Sequence, residues 1–336
     1  MSLKILKRDE VFNSEESKAF PSKFVIDINE NRYKSDVTVI IAIHGNDEDA
    51  ISVINNYRLL ERELKLHFII VNTSLFAVSR VKQLSTTDIT TINLISPVPQ
   101  LSKLWARDLY ASNSVGFTAQ IGEFFSQSDL IFFSHADMMG YKKNFLSYLV
   151  GKLNEDTEIA SFTQRHFIPF TGCMLYKRSF VETLKTDWLP QKKNNYDFSF
   201  LGELKQKIEN IAWIDCGEDI IYKTMNSGKK QFVCRSFGIS GDSFGDPNFL
   251  HGFTNKDFMG LRIPITYEDT PVNICDIKKK FTELNEDGNS CWRKTVDHDG
   301  DIIFIHRGRG TTNQKVNDGR GDFKSFLNEF NKKISK

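Results

Sequence analysis

At the end of an almost wholly apolar run, "FFSHADMMG" (132–140) sets His135 and Asp137 two residues apart. Carboxylate oxygens suit hard divalent cations, and an imidazole hydrogen-bonds or ligates. "GEDIIYK" (217–223) presents Glu218 beside Asp219, a residue type that can take a proton from a reacting hydroxyl. "DIIFIHRGRGTT" (301–312) ends an apolar stretch on His306 and continues into Arg307 and Arg309, flanked by Gly308 and Gly310. Guanidinium groups pair bidentately with phosphate oxygens. Each motif also has a plainer explanation. Short polar residues start helices, carboxylates in a first helical turn gain up to about 1 kcal/mol, a histidine after a strand is packed, and a basic turn is solvated. Their placement in the fold must decide.

The elements around them alternate. "DVTVIIAI" (36–43) is β-branched and nearly continuous in apolarity, as a strand buried on both faces must be. "DEDAISVINNYRLLERE" follows as a helix with acidic residues in its first turn. "KLHFIIVNTS" (65–74) and "TTINLIS" (90–96) predict two more strands, residues 102–127 a long helix, and "DLIFFSH" (129–135) a fourth strand. This pattern predicts a doubly wound, mainly parallel α/β sheet with ligands at the carboxyl ends of its strands, where His135 and Asp137 stand. Further on, "GCMLYKRSFVETL" (172–184) reads as a strand turning into a helix. Gly228 suits a C-terminal cap for the short helix opened by Glu218 and Asp219. Residues 1–35 form an extension that packs onto the body, 238–300 are loop-rich, and "FKSFLNEFNKKISK" predicts a closing amphipathic helix.

Composition excludes several partners. The chain has 336 residues and a formal net charge of +1, from 44 Lys and Arg against 43 Asp and Glu. It has no general pull towards nucleic acid or an anionic membrane, so any anion must be gripped locally. Five cysteines without CxxC spacing argue against a disulfide framework or a zinc knot and fit a reducing compartment. With neither a signal-peptide core nor a stretch of about 20 apolar residues, a cytoplasmic protein is expected.

In order and spacing, these pieces resemble the nucleotide-sugar glycosyltransferases of the GT-A fold, in particular the inverting family 2, over residues 36–235. The carriers are "VTVIIAIHG", "FIIVNTS", "GFTAQIGEFFSQSDLIFFSHAD", "TGCMLYKRS" and "GEDIIYK". The resemblance implies a donor half (36–140), an acceptor half (141–235) and a C-terminal extension (236–336) that completes the site. Asp137 matches the last Asp of the family's Asp-x-Asp, the ligand of Mn²⁺ or Mg²⁺, with His135 in place of the first Asp. Gly122 falls at the family's helix glycine. His44 and Asn72, the latter where a base-reading Asp is usual, are implied in donor binding together with His135, Asp137, Arg307 and Arg309. Gly172 and Glu218 are implied at the acceptor, Asp219 as general base, and His306 as a second metal ligand with His251 of "FLHGF" its rival. The implied partners are a UDP-sugar by default and a glycan or lipid-linked acceptor, in bacterial-type surface polysaccharide or glycoconjugate synthesis, with peripheral membrane association.

Two other readings stand beside it. A catalytically inactive glycosyltransferase-like binding module would account for His135 and Asn72, although Asp137, Glu218 and Asp219 are all present. A nucleotidyltransferase shares the sheet and the metal-binding Asp but carries a glycine-rich, basic loop after the first strand, where this chain has the acidic "AIHGNDEDA".

Overall fold

The computed structural model describes residues 2–45, 47–74, 86–96, 109–162, 171–192, 213–214, 216–237, 265–266, 293–297, 301–306 and 323–335. In chain order the first elements are β1 (Ser2–Lys7), α1 (Arg8–Val11), a 3-10 turn (Glu15–Ala19), β2 (Lys23–Asn29), β3 (Val37–Ile43), α2 (Asp47–Leu60), β4 (Leu66–Asn72) and β5 (Ile89–Leu94). Next come α3 (Leu109–Phe125), β6 (Leu130–His135), β7 (Met138–Gly140), α4 (Phe145–Val150), β8 (Thr157–Phe162), β9 (Cys173–Lys177) and α5 (Arg178–Thr183). The remainder are β10 (Gln191–Lys192), β11 (Trp213–Ile214), α6 (Glu218–Asn226), β12 (Lys230–Phe237), β13 (Ile265–Thr266), β14 (Arg293–Val296), β15 (Ile302–His306) and α7 (Phe323–Ile334).

The fold is the α/β arrangement predicted from the sequence. Strands β5, β4, β3 and β6 lie side by side and parallel. From β3 the chain winds outward through β4 and β5, then crosses back to place β6 on the other side of β3. The reversal makes a switch point between β3 and β6, the place where an open α/β sheet leaves a crevice for ligands. Beyond β6 comes antiparallel β9, then β8 parallel to β12, and then antiparallel β14, β15 and β7. The chain thus leaves β6 at His135, turns, and returns as β7 on a different partner strand.

Two apolar layers hold the sheet. Val37, Val39, Ile41 and Ile43 of β3 pack with Ala50, Val53, Ile54 and Tyr57 of α2, while Ile40 joins Phe117, Ala119 and Ile121 of α3 on the other face. That is the two-residue alternation of a strand buried on both sides. The N-terminal extension does more than pack on: β2 pairs antiparallel with β5, and β1 with β2, which lengthens the sheet. Phe12, Phe20 and Phe24 close around Phe117 with ring centroids 5.5, 5.4 and 5.2 Å away. In "FVIDI" (24–28), alternating Phe24, Ile26 and Ile28 are the buried face of β2.

Gly122 lets α3 lie close on β3, because a Cβ there would meet Ile40 Cγ2 at 2.5 Å. Gly122→Ala is expected to destabilise: overpacking costs about 1–3 kcal/mol, more than the helix-propensity gain of up to about 1 kcal/mol. Urea unfolding checks this, and an unchanged or raised midpoint would show that the two elements can move apart.

Candidate metal centre

His135 ends β6, Asp137 sits in the turn after it, and His306 ends β15, whose pairing with β7 sets His306 opposite Met138. His306 Nε2 lies 3.3 Å and His135 Nδ1 3.9 Å from the same oxygen, Asp137 Oδ1. One ligand atom from each of the three falls within 4.8 Å of the others. Donors on one ion with bonds of about 2.1 Å stand roughly 3–3.5 Å apart, so small side-chain rotations suffice to close the cluster on a cation. Burial alone would raise the Asp137 carboxyl, but the imidazoles of His306 and His135 outweigh it and hold the group well below the usual carboxylate range. The carboxylate is therefore ionised, as a metal ligand must be. Three ligands leave coordination positions for phosphate oxygens and water.

His44 and Asn72 stand at the ends of β3 and β4. His44 is exposed, with Nδ1 3.3 Å from Thr73 Oγ1. Asn72 is 1% exposed, and its Oδ1 accepts the Gly45 and Ser74 N–H groups, both at 3.1 Å. Its Nδ2 donates to Asn93 Oδ1 at 3.1 Å and to the Ser74 carbonyl at 3.3 Å. That is the full complement of an amide. Asn72 therefore ties together the loop ends after β3 and β4.

The segment at 171–172 links the metal strand to the carboxylate turn. The Gly172 carbonyl accepts the His135 N–H at 3.1 Å, and Thr171 Oγ1 donates to the Cys216 carbonyl at 2.7 Å. Gly217 then turns with φ +75°, and a Cβ on it would meet the Trp188 ring at 2.7 Å. Of the two carboxylates that follow, Glu218 is half-buried. Asp219 is enclosed: its side chain is 2% exposed, its Oδ2 accepts the Asp187 N–H at 2.7 Å, and Lys223 Nζ stands 3.0 Å from that oxygen. These contacts hold Asp219 at the start of α6. His251, Arg307 and Arg309 lie outside the described residues.

Sequence reasoning missed what stands behind this turn. Asp187 accepts the backbone N–H groups of Asn13, Ser14 and Leu189, all at 3.0 Å, and burial still pushes its carboxyl up to about 6. The Trp188 carbonyl accepts the Gly217 N–H at 3.0 Å. Glu123 Oε2 accepts from Tyr176 Oη at 2.6 Å and Trp188 Nε1 at 3.1 Å, yet burial pushes that carboxyl up to about 7. The partners come from segments distant in sequence, so no local pattern signals them.

No protein-family model and no curated protein matches the chain. Among solved structures it is similar to the mannosyltransferase PcManGT from Pyrobaculum calidifontis, solved with GDP-Man and Mn²⁺, with 14% identity over 47% of this chain and 49% of that one and a TM-score of 0.35. It is also similar to the galactosyltransferase LgtC, solved with donor and acceptor sugar analogues, at 10% identity over 89% and 96% of the two chains and a TM-score of 0.46. A third is S. aureus TarS 1–349, at 9% identity over 46% and 50% and a TM-score of 0.36. The chain spans about half the length of the PcManGT and TarS chains.

Glu123 generates a pH prediction. The native state keeps its proton up to about pH 7, whereas the unfolded chain releases it near the ordinary value of 4.5. Between these values the native state binds more protons, so stability falls as pH rises through that window, by about 3 kcal/mol in all. The difference in unfolding free energy between wild type and Glu123→Gln is expected to shrink by that order from pH 4.5 to 8. A flat difference would contradict the buried, protonated carboxyl.

Proposed function

We propose that the protein transfers a sugar from a nucleoside-diphosphate sugar to an acceptor hydroxyl, with His135, Asp137 and His306 holding a divalent cation at the pyrophosphate. The observation that carries this is the three-residue cluster itself, assembled from β6, its following turn and β15 at the carboxyl edge of the parallel strands. The ordered motifs that resemble inverting GT-A enzymes support the same reading. When bound, the cation supplies positive charge where the leaving diphosphate accumulates negative charge. Two imidazoles in the donor set favour Mn²⁺ over Mg²⁺, which prefers oxygen ligands and its own waters.

Glu218, half-buried in the turn joined to the metal strand through Thr171 and Gly172, is the proposed base. It takes the acceptor hydroxyl proton while that oxygen bonds to the anomeric carbon. The bond from that carbon to the phosphate oxygen breaks, and the electron pair leaves with the nucleoside diphosphate. Attack from the face opposite the leaving group inverts the centre. Asp219, tied to Asp187 and Lys223, holds the start of α6 in place. Arg307 and Arg309, next in the chain after His306, are proposed to grip the pyrophosphate, and His44 to border the donor. A UDP-sugar donor, a glycan or lipid-linked acceptor, surface-glycan synthesis and a cytoplasmic site with peripheral membrane association belong to the same proposal.

Calorimetry with UDP and Mn²⁺ tests the metal: Asp137→Ala and His306→Ala are expected to abolish the cation-dependent part of binding, and unchanged binding in Asp137→Ala would refute the assignment. Glu218→Gln is expected to bind donor like wild type while transfer falls by a factor of about 10² to 10⁴. Near-normal transfer by that variant would place the base elsewhere. Donor binding without hydrolysis or transfer by wild type would favour the inactive binding module instead.

A further inference from the structure

We propose that Asn56 is a positioning residue for the metal-bearing turn from β6 to β7, and that through it the last helix, α7, is coupled to cation affinity; this rests on reading His135, Asp137 and His306 as a metal centre. Asn56 and Tyr57 are neighbours on α2, and both reach the segment from β6 to β7 from below. The Tyr57 hydroxyl lies 2.8 Å from Ser134 Oγ and 3.4 Å from the Met138 carbonyl, and Ser134 Oγ donates to the His135 carbonyl at 3.0 Å. Asn56 takes the other end of this segment. Its Oδ1 accepts the Gly140 N–H at 2.8 Å.

The direction of the chain of bonds from there is fixed by chemistry. A backbone N–H can only donate, so the Asn56 oxygen must face Gly140 and its Nδ2 must point away. That Nδ2 donates to Asn331 Oδ1 of α7 at 3.0 Å, and Asn331 Nδ2 donates in turn to the Ser52 carbonyl of α2 at 3.4 Å. Asn56 is fully buried. Removing either amide leaves a buried polar group of its neighbour without that partner, so the bonds hold or loosen together.

Strand β7 has little room to compensate. A Cβ on Gly140 would meet Phe145 Cε1 at 2.6 Å, so β7 is pressed against the apolar layer beneath it. In the β7–β15 register, Gly140 faces Phe304 and Met138 faces His306. Any shift of β7 along α2 therefore alters the spacing between Asp137 at one end of β7 and His306 across from it. Metal–ligand bonds tolerate about 0.2 Å, so the buried amide pair between α2 and α7 sets that spacing.

The test is Mn²⁺ titration of the 336-residue chain, without nucleotide, followed by the paramagnetic resonance signal of free Mn²⁺, with the thermal midpoint of each variant measured alongside. Asn56→Ala is expected to weaken Mn²⁺ binding about tenfold or more, the range for groups that orient metal ligands, and Asn331→Ala severalfold. Val181→Ala, in the apolar layer on the other face of the sheet, serves as the control. It is expected to lower the thermal midpoint and leave Mn²⁺ affinity unchanged. Should Asn56→Ala fail to fold, Asn331→Ala carries the test, since Asn331 lies nearer the surface. Folded asparagine variants that lose no more affinity than Val181→Ala would overturn the proposal and leave only a structural amide pair. Wild type that binds Mn²⁺ no better than Asp137→Ala would overturn the metal reading, and this inference with it.

Discussion

The structure turns on a buried carboxylate. Asp137 is 5% exposed at the end of a parallel strand, where desolvation disfavours its ionised form, and two imidazoles beside it reverse that preference. One imidazole comes from two residues upstream in the same segment. The other arrives from far along the chain, and only because β7 turns away from the main parallel strands to pair with β15. The route of the chain beyond β6 is thus what brings His306 to Asp137. A donor set of two nitrogens and one carboxylate is the outcome.

Environment separates three of the buried acids into two kinds. Asp137 is surrounded by imidazoles and stays ionised, whereas Glu123 and Asp187 lie behind the turn at 216–219 with burial pushing both upwards, to about 7 and about 6. The first can serve a cation. The others hold Trp188 and the N-terminal segment against that turn, which ties residues 13–14 to the wall of the site. The extension ahead of β3 is therefore joined both to the sheet edge and to the support of the carboxylate pair.

What was legible in the sequence followed from burial and periodicity. Continuous apolarity announced β3, β4 and β6, and the position of Asp137 at a strand end announced a site, because both signals are local. The resemblance implied His306, which does stand beside Asp137. The commitments of Asn72 and Asp219 were not legible, because their polar groups are taken by Asn93 and Asp187, 21 and 32 residues away. In sequence, an asparagine or aspartate already held by a distant partner looks the same as one open to a ligand. The three-residue strand β7 was equally hidden, since "MMG" carries no alternation to read.

The most direct test of the central claim is pulsed electron–nuclear resonance on the Mn²⁺-loaded protein with ¹⁵N-labelled histidine. Couplings to two imidazole nitrogens are predicted in wild type, falling to one in His306→Ala, since the remaining nitrogen belongs to His135. Bound Mn²⁺ that shows no histidine nitrogen coupling would contradict the account.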